Sequence, residues 1–294
     1  MDEAEWVPLA QAHAQRVEPW VSGRLSRRAR GERHAIDDFL FDYYPYSPGK
    51  LATWHPGNGV TLRGEAAQSY LRLSGYRSAG DGVTADLACL APQRSRLDLA
   101  LRILEGTASR PASTGCFGLH EWAMVYGLAQ DDVRHAYVPL RISPEQIAAT
   151  VDEVGLRCTH IDAYRFFTDE ALPLNAHEPT RQTQPDMEQP GCLHASMDLY
   201  KYTFWFSPFI SSELVMDCFE NAARARELDM RASPYDMTAF GLEPIRVETP
   251  EGRREYAAQQ RRLMAATAPL RTRLAAALSE LRAALARDWQ PTLR

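Results

Sequence analysis

The stretch CLHASMDLYKYTFWF (192–206) decides how this chain is read. Its spacing predicts a helix, and at about 100° per residue His194, Asp198, Lys201 and Trp205 fall within about 60° of one another. The other positions are Ala, Leu, Met, Tyr, Phe, Ser, Thr and Cys. A surface helix carries polar residues along a wet face, whereas this one has almost no charge off that single stripe. It is therefore expected to be buried nearly all round, which places it in the core of a mainly α protein. A His–Asp–Lys line in such a helix must be paired or must line a cavity. The plain alternative is a structural ion pair between Asp198 and Lys201 at i,i+3.

Two further stretches share its cysteine, histidine and acid: CFGLHEW (116–122) and CTHIDAYRFF (158–167). Both are expected to wall the same pocket. On a helix, residues two apart point to opposite sides, so Cys158 and His160, His160 and Asp162, or Cys192 and His194 do not form a repeated ligand motif. The cysteines then read as small buried packing residues. His120 and Glu121 can face one pocket together only near a helix end. Structural zinc sites favour C-x2-C or H-x3-H pairs, and none is present. A carboxylate–imidazole centre for Zn or Fe assembled from separate segments remains open, with His194 and Asp198 at i,i+4 and His120, Glu121 and His160 completing it. The candidate ligands of that reading are His120, His160, His194 and Asp198; the other reading has no metal and no cofactor.

Composition narrows the partners. The 294 residues carry a net charge of −5, and 31 of the 33 basic residues are Arg, leaving only Lys50 and Lys201. A protein devoted to gripping duplex DNA is usually basic on one face. Five scattered cysteines argue for free thiols rather than a disulfide framework. The acidic opening MDEAEWVPLAQAH is no signal peptide, and no run approaches the roughly 20 apolar residues of a membrane span. These features predict a cytoplasmic protein with no membrane partner and no evident protein partner.

Outward from the central stretch, the pattern predicts a multi-helix globular domain with a small β element. Residues 1–33 read as a surface helix whose RLSRRARGER run (24–33) is a solvated face, and HAIDDFLFDYY (34–44) as a short helix stopped by Pro45 and Pro48. In WHPGNGVTLRG (54–64) a strand follows a turn, and residues 70–91 hold another short strand. RSRLDLALRILEGT (94–107) and GCFGLHEWAMVYG (115–127) read as helices, RHAYVPLRI (134–142) as a strand, and residues 143–155 as a helix capped by Ser143 with Pro144 in its first turn. Residues 175–191 form a long proline-rich loop of the kind that often serves as a lid. SSELVMDCFENAARARELDM (211–230) is a helix whose Glu213, Asp217, Glu220 and Arg224 make a salt-bridged face. In LDMRASPYD (228–236), Ser233 to Asp236 has the form of a capping box, while Asp229 and Arg231 are candidates for a pocket ion pair. Residues 251–288 form a C-terminal helical hairpin or one long interrupted helix, with Leu270, Leu274, Leu278, Leu281 and Leu285 as its stripe. No internal repeat or domain boundary is visible, so a single domain, 1–294, is expected.

Several of these stretches together resemble one bacterial family: HAIDDFLFDYYPY (34–46), WHPGNGV (54–60), GCFGLHEWAMVY (115–126), CTHIDAYRFFT (158–168), EQPGCLHASMDLYK (188–201), SELVMDCFENA (212–222), LDMRASPYD and ETPEGRREY (248–256). That family is often named 3-methyladenine DNA glycosylase, and the resemblance runs from about Trp6 to Leu274. It implies an enzyme, an N-glycosidase-type hydrolase of DNA repair that frees a modified purine from DNA or a nucleoside. The PGNG turn is followed by VTLRG, a strand, and so is not the helix-hairpin-helix of other glycosylases. Breaking an N-glycosidic bond puts positive charge on the sugar, which a carboxylate can stabilise. Asp198 or Asp162 would supply it, His160 or His194 would handle protons, and Lys201 lies on the same stripe. Trp122, Tyr164, Phe167, Tyr200, Trp205 and Tyr235 would stack on the base, with His120, Glu121, Asp229 and Arg231 as further substrate contacts. The alternative from another class is a helical His/carboxylate metalloenzyme, an oxygenase or hydrolase acting on a small molecule.

Overall fold

The structure is a computed structural model that describes residues 1–133 and 135–288, the backbone alone at Asp288. It is mainly α, with one three-stranded antiparallel sheet. The chain separates into two compact units. The first takes residues 1–102, 199–220 and 270 onward; the second takes 103–198 and 221–269.

The first unit begins with the helix Glu3–Ala29, capped by Asp2 in a capping box with Glu5. Its inner face carries Trp6, His13 and Val17, all buried. The sheet consists of β1 (Thr61–Arg63), β2 (Tyr76–Ala79) and β3 (Gly82–Ala85), in the order β1-β3-β2. Val83 of β3 stands opposite both Leu62 and Ser78. Leu62 and Val83 join Trp6, Trp54 and Tyr70 in one apolar cluster. Trp6 stacks on Trp54 with centroids 6.2 Å apart, and its indole N–H donates to the Arg63 carbonyl at 3.0 Å. Gly82 is required at its place, because a Cβ there would run into the Leu62 carbonyl of the paired strand. The arginine run pairs locally: Arg24 and Arg27 bracket the buried Asp38. The acidic face of the Ser212–Ala232 helix is salt-bridged, with Arg16 holding Asp217 and Glu220.

The second unit is built from the second half of the helix Arg94–Ser109, short helices at Leu119–Ala123, Pro144–Val154 and Ile161–Tyr164, and parts of three longer ones: Leu193–Trp205, Ser212–Ala232 and Pro250–Asp288. Ser143 caps Pro144–Val154 in a capping box with Gln146. The C-terminal segment is one helix that continues through Pro269 and does not turn back. Leu274, Leu278, Leu281 and Leu285 of its stripe are buried.

Two local readings are corrected. Of the expected strand 134–142, Arg134 lies outside the described residues and 135–142 form no strand: an isolated bridge joins Leu140 to Tyr235, with the Arg141 amide donating to the Pro234 carbonyl and the Asp236 amide to the Pro139 carbonyl. Ser233 opens no helix: its hydroxyl donates to the Met230 carbonyl at 2.7 Å and accepts from the Tyr235 amide. Asp236 Oδ1 instead accepts from the amide and the hydroxyl of Thr238.

One histidine of the first unit carries a pH signature. His55 is buried with its Nδ1 2.9 Å from the Tyr76 hydroxyl. Burial, with a smaller contribution from His13, lowers its pKa to about 4. Between about pH 6.5 and 4 the unfolded chain then binds a proton that the folded chain refuses. The folded state is undisturbed above that window and loses stability as pH falls through it, by about 3 kcal/mol at the acid end. Urea unfolding at pH 7 and pH 4.5 checks this: His55→Gln should flatten the pH dependence relative to the native chain. Equal slopes for the two would refute it.

Candidate metal centre

The second unit buries an unusual density of charge. His120, Glu121, His160, Asp162, Glu188, His194, Asp198, Arg226 and Asp229 are each at most 6% exposed. Ionised groups are costly to desolvate unless each finds a partner; Asp162 is met by Arg181 and Arg165, and the others lie against one another.

Each side chain arrives by a definite local device. The helix Leu119–Ala123 has only five residues and all are buried. His120 and Glu121, adjacent in sequence, can both point into the core because the helix ends before it needs a wet face. Gly118 caps it at φ +73°, a backbone conformation that disfavours a side chain, and a Cβ there would crowd the Tyr256 ring at 3.3 Å. His160 is the extended residue before the helix Ile161–Tyr164. Helical spacing therefore does not govern Cys158 and His160. Glu188 closes the short helix Gln184–Met187 at the end of the proline-rich loop. His194 and Asp198 sit one turn apart on Leu193–Trp205, and Arg226 and Asp229 three apart on Ser212–Ala232.

Three imidazoles form the spine. His194 lies edge-on to His120 with ring centroids 4.5 Å apart, and tilted against His160 at 5.3 Å. At one end, His120 Nε2 is 2.7 Å from Asp229 Oδ1. Arg226 Nη1 donates to Glu121 at 2.7 Å and to Asp229 Oδ2 at 3.1 Å. At the other end, His160 Nε2 is 3.1 Å from Glu188 Oε1 and 3.2 Å from Asp198 Oδ2. Neither contact has hydrogen-bond alignment, and His160 Nδ1 and His194 Nδ1 are also buried without a hydrogen-bond partner. Gln184 Nε2 donates to Glu188 Oε1 at 2.6 Å.

The electrostatics follow this layout. Burial opposes the charged form of His160, but Glu188 and Asp198 outweigh it and raise its pKa to about 10. Burial likewise opposes a charge on His120, and Asp229 overcomes it and pulls the pKa up. His194 is pushed far below the usual imidazole range, first by burial and then by the positive rings on either side. Asp229 is held low against its own burial by His120 and Arg226.

The donor atoms gather into two groups, each with all ligand atoms within 4.8 Å of one another: His120, His194 and Asp229, and His160, Glu188 and Asp198. All four residues of the sequence-derived ligand set are therefore present, but divided. His194 and Asp198 belong to different groups although they share a helix face, and Asp229 and Glu188 complete the two sets. Glu188 carried no sequence signal, because it lies in an aperiodic loop. Arg226 looked like one more charge on an Arg- and Glu-rich helix.

Other candidates are placed elsewhere. Asp162 accepts from the Arg181 guanidinium and lies 3.4 Å from Arg165, so it is already engaged. Asp229 and Arg231 do not pair. Three residues apart from Arg226, Asp229 faces the core, while Arg231 lies two positions round the helix and donates to the Glu243 carbonyl and Gln259. Lys201 and Trp205 belong to the first unit, where the Lys201 ammonium lies over the Tyr202 and Trp205 rings at 5.0 and 5.6 Å. Tyr200 is a buried ring of the first unit packed on Tyr44 and Phe204. Trp122 is fully buried and donates to the Ala232 carbonyl at 2.8 Å, Tyr164 meets Phe167 edge-on, and Tyr235 is 1% exposed beside His135. Sequence reasoning also missed Tyr256, whose buried hydroxyl has no hydrogen-bond partner and whose pKa is raised, first by burial.

Arg226 is the cation on which two buried carboxylates depend. Replacing it by Met leaves Glu121 and Asp229 without it, a loss expected to cost about 3–5 kcal/mol in denaturant unfolding. Arg226→Lys should recover part of that loss. A methionine variant as stable as the native chain would show that the network carries no such dependence.

Comparison with protein-family models, with curated proteins and with solved structures gave no match.

Proposed function

We propose that this chain is a His/carboxylate metalloenzyme, with a divalent Zn, Fe or Mn ion held in the core of its second unit. One observation carries the reading: the contact of His160 Nε2 with two carboxylate oxygens at 3.1 and 3.2 Å without hydrogen-bond alignment. An imidazolium N–H aimed at a carboxylate would line up with one oxygen. Ligand atoms about 2.1 Å from a common ion, at angles of about 90–110°, lie about 3.0–3.4 Å apart. The spacing fits atoms that face a shared point.

The ligand types favour a borderline first-row ion over Mg or Ca, which prefer all-oxygen shells. Such an ion can polarise a carbonyl or phosphoryl oxygen, or make a bound water nucleophilic at neutral pH. The plain competitor is a structural polar network, with His120 and His160 charged and no ion. The N-glycosidic hydrolysis implied by the family resemblance could be served by a water that such an ion would activate, and it defines the first substrates to try.

Metal analysis decides between these readings. Protein purified without chelators should hold at least one equivalent of Zn, Fe or Mn per chain, and His160→Ala should hold less. Metal-free protein of native stability would end the proposal. Base release from alkylated DNA and from modified purine nucleosides, assayed on the metal-loaded protein, tests the substrate. Release that vanishes on chelation and in Asp198→Asn supports a glycosidic substrate, and its absence from a metal-loaded chain removes that substrate class.

A further inference from the structure

We infer that the centre is built for two cations at once, one in each group; this rests on the metalloenzyme reading above. The two donor sets share no residue. His120, His194 and Asp229 supply two imidazoles and a carboxylate, and His160, Glu188 and Asp198 supply one imidazole and two carboxylates. Each set alone offers three ligand atoms and would leave coordination positions open. They are neighbours, because the His194 ring that closes the first set lies 5.3 Å from the His160 ring of the second.

Charge is compatible with more than one cation: Glu121, Asp229, Glu188 and Asp198 are all buried, and the imidazoles of the two sets would be neutral as metal ligands.

Each set also has its own orienting group. Arg226 fixes Asp229 through Oδ2, while Oδ1 is hydrogen-bonded to His120 Nε2 at 2.7 Å, so an ion in the first set would take the place of that proton. Gln184 fixes Glu188 through Oε1. Partners of this kind hold ligating carboxylates in place, and a single-ion site would need only one of them. The two sets differ in donors, so they are expected to differ in affinity: the carboxylate-rich second set favours Mn and Fe, the imidazole-rich first set Zn.

The test is metal stoichiometry on the full chain. Protein stripped with a chelator and reloaded with Mn(II) should take up two equivalents. Its electron paramagnetic resonance spectrum should show an exchange-coupled pair. Asp229→Asn and Glu188→Gln should each lose one equivalent, and the remaining ion should give an uncoupled signal. Because either variant can fail to fold, the native spectrum stands as an independent readout. Two uncoupled equivalents, or one equivalent in the native chain, overturn the paired centre; one equivalent leaves the metalloenzyme reading standing. No uptake by folded protein overturns both.

Discussion

The second unit depends on mutual compensation among ionisable groups held away from water. Four carboxylates, three imidazoles and one guanidinium occupy a region where an uncompensated charge costs several kcal/mol. That constraint explains features that look unrelated in sequence. Gly118 lets a five-residue helix start where Tyr256 leaves no room for a Cβ. Gly191 lies so close to the Ser113 carbonyl that no side chain fits there, and it begins the turn that delivers His194. Gln260 holds that turn by donating to the Gly191 carbonyl at 2.6 Å. The backbone around the cluster is fixed at several points because a misplaced carboxylate here has no water to fall back on.

Such a network is an inefficient way to gain stability. Well-packed apolar residues of the same volume are often at least as stabilising as buried ion pairs. Its retention therefore needs another reason, and the unaligned His160 contacts and partnerless imidazole nitrogens point the same way. A purely structural network is expected to end with every donor and acceptor satisfied. This one leaves open valences where its donor atoms converge.

The legible part of the fold was set by periodicity. The helix 193–205 could be seen as buried all round because its polar positions made one narrow stripe, and the PGNG turn with VTLRG after it gave the first strand. The capping box at Ser143 was readable for the same reason: its signals lie within four residues. What failed also has a cause. The Ser233–Asp236 pattern matched a cap, but no helix follows to be capped. The stretch 135–142 has strand-forming residues but pairs only through an isolated bridge.

The site was legible only where two ligands share a periodic element. His194 and Asp198 were found together, yet their ligand atoms fall in different donor groups. A helix turn advances about 5.4 Å along its axis, which suits residues that reach adjacent groups as well as residues that meet at one point. Which of these occurs depends on what the other segments present opposite each position. Opposite His194 stand His120 and Asp229, and opposite Asp198 stand His160 and Glu188. Glu188 lies ten residues before Asp198 in a segment with no period, so nothing local ties the two. Their meeting is a property of the tertiary fold, and it divides one sequence stripe between two donor sets.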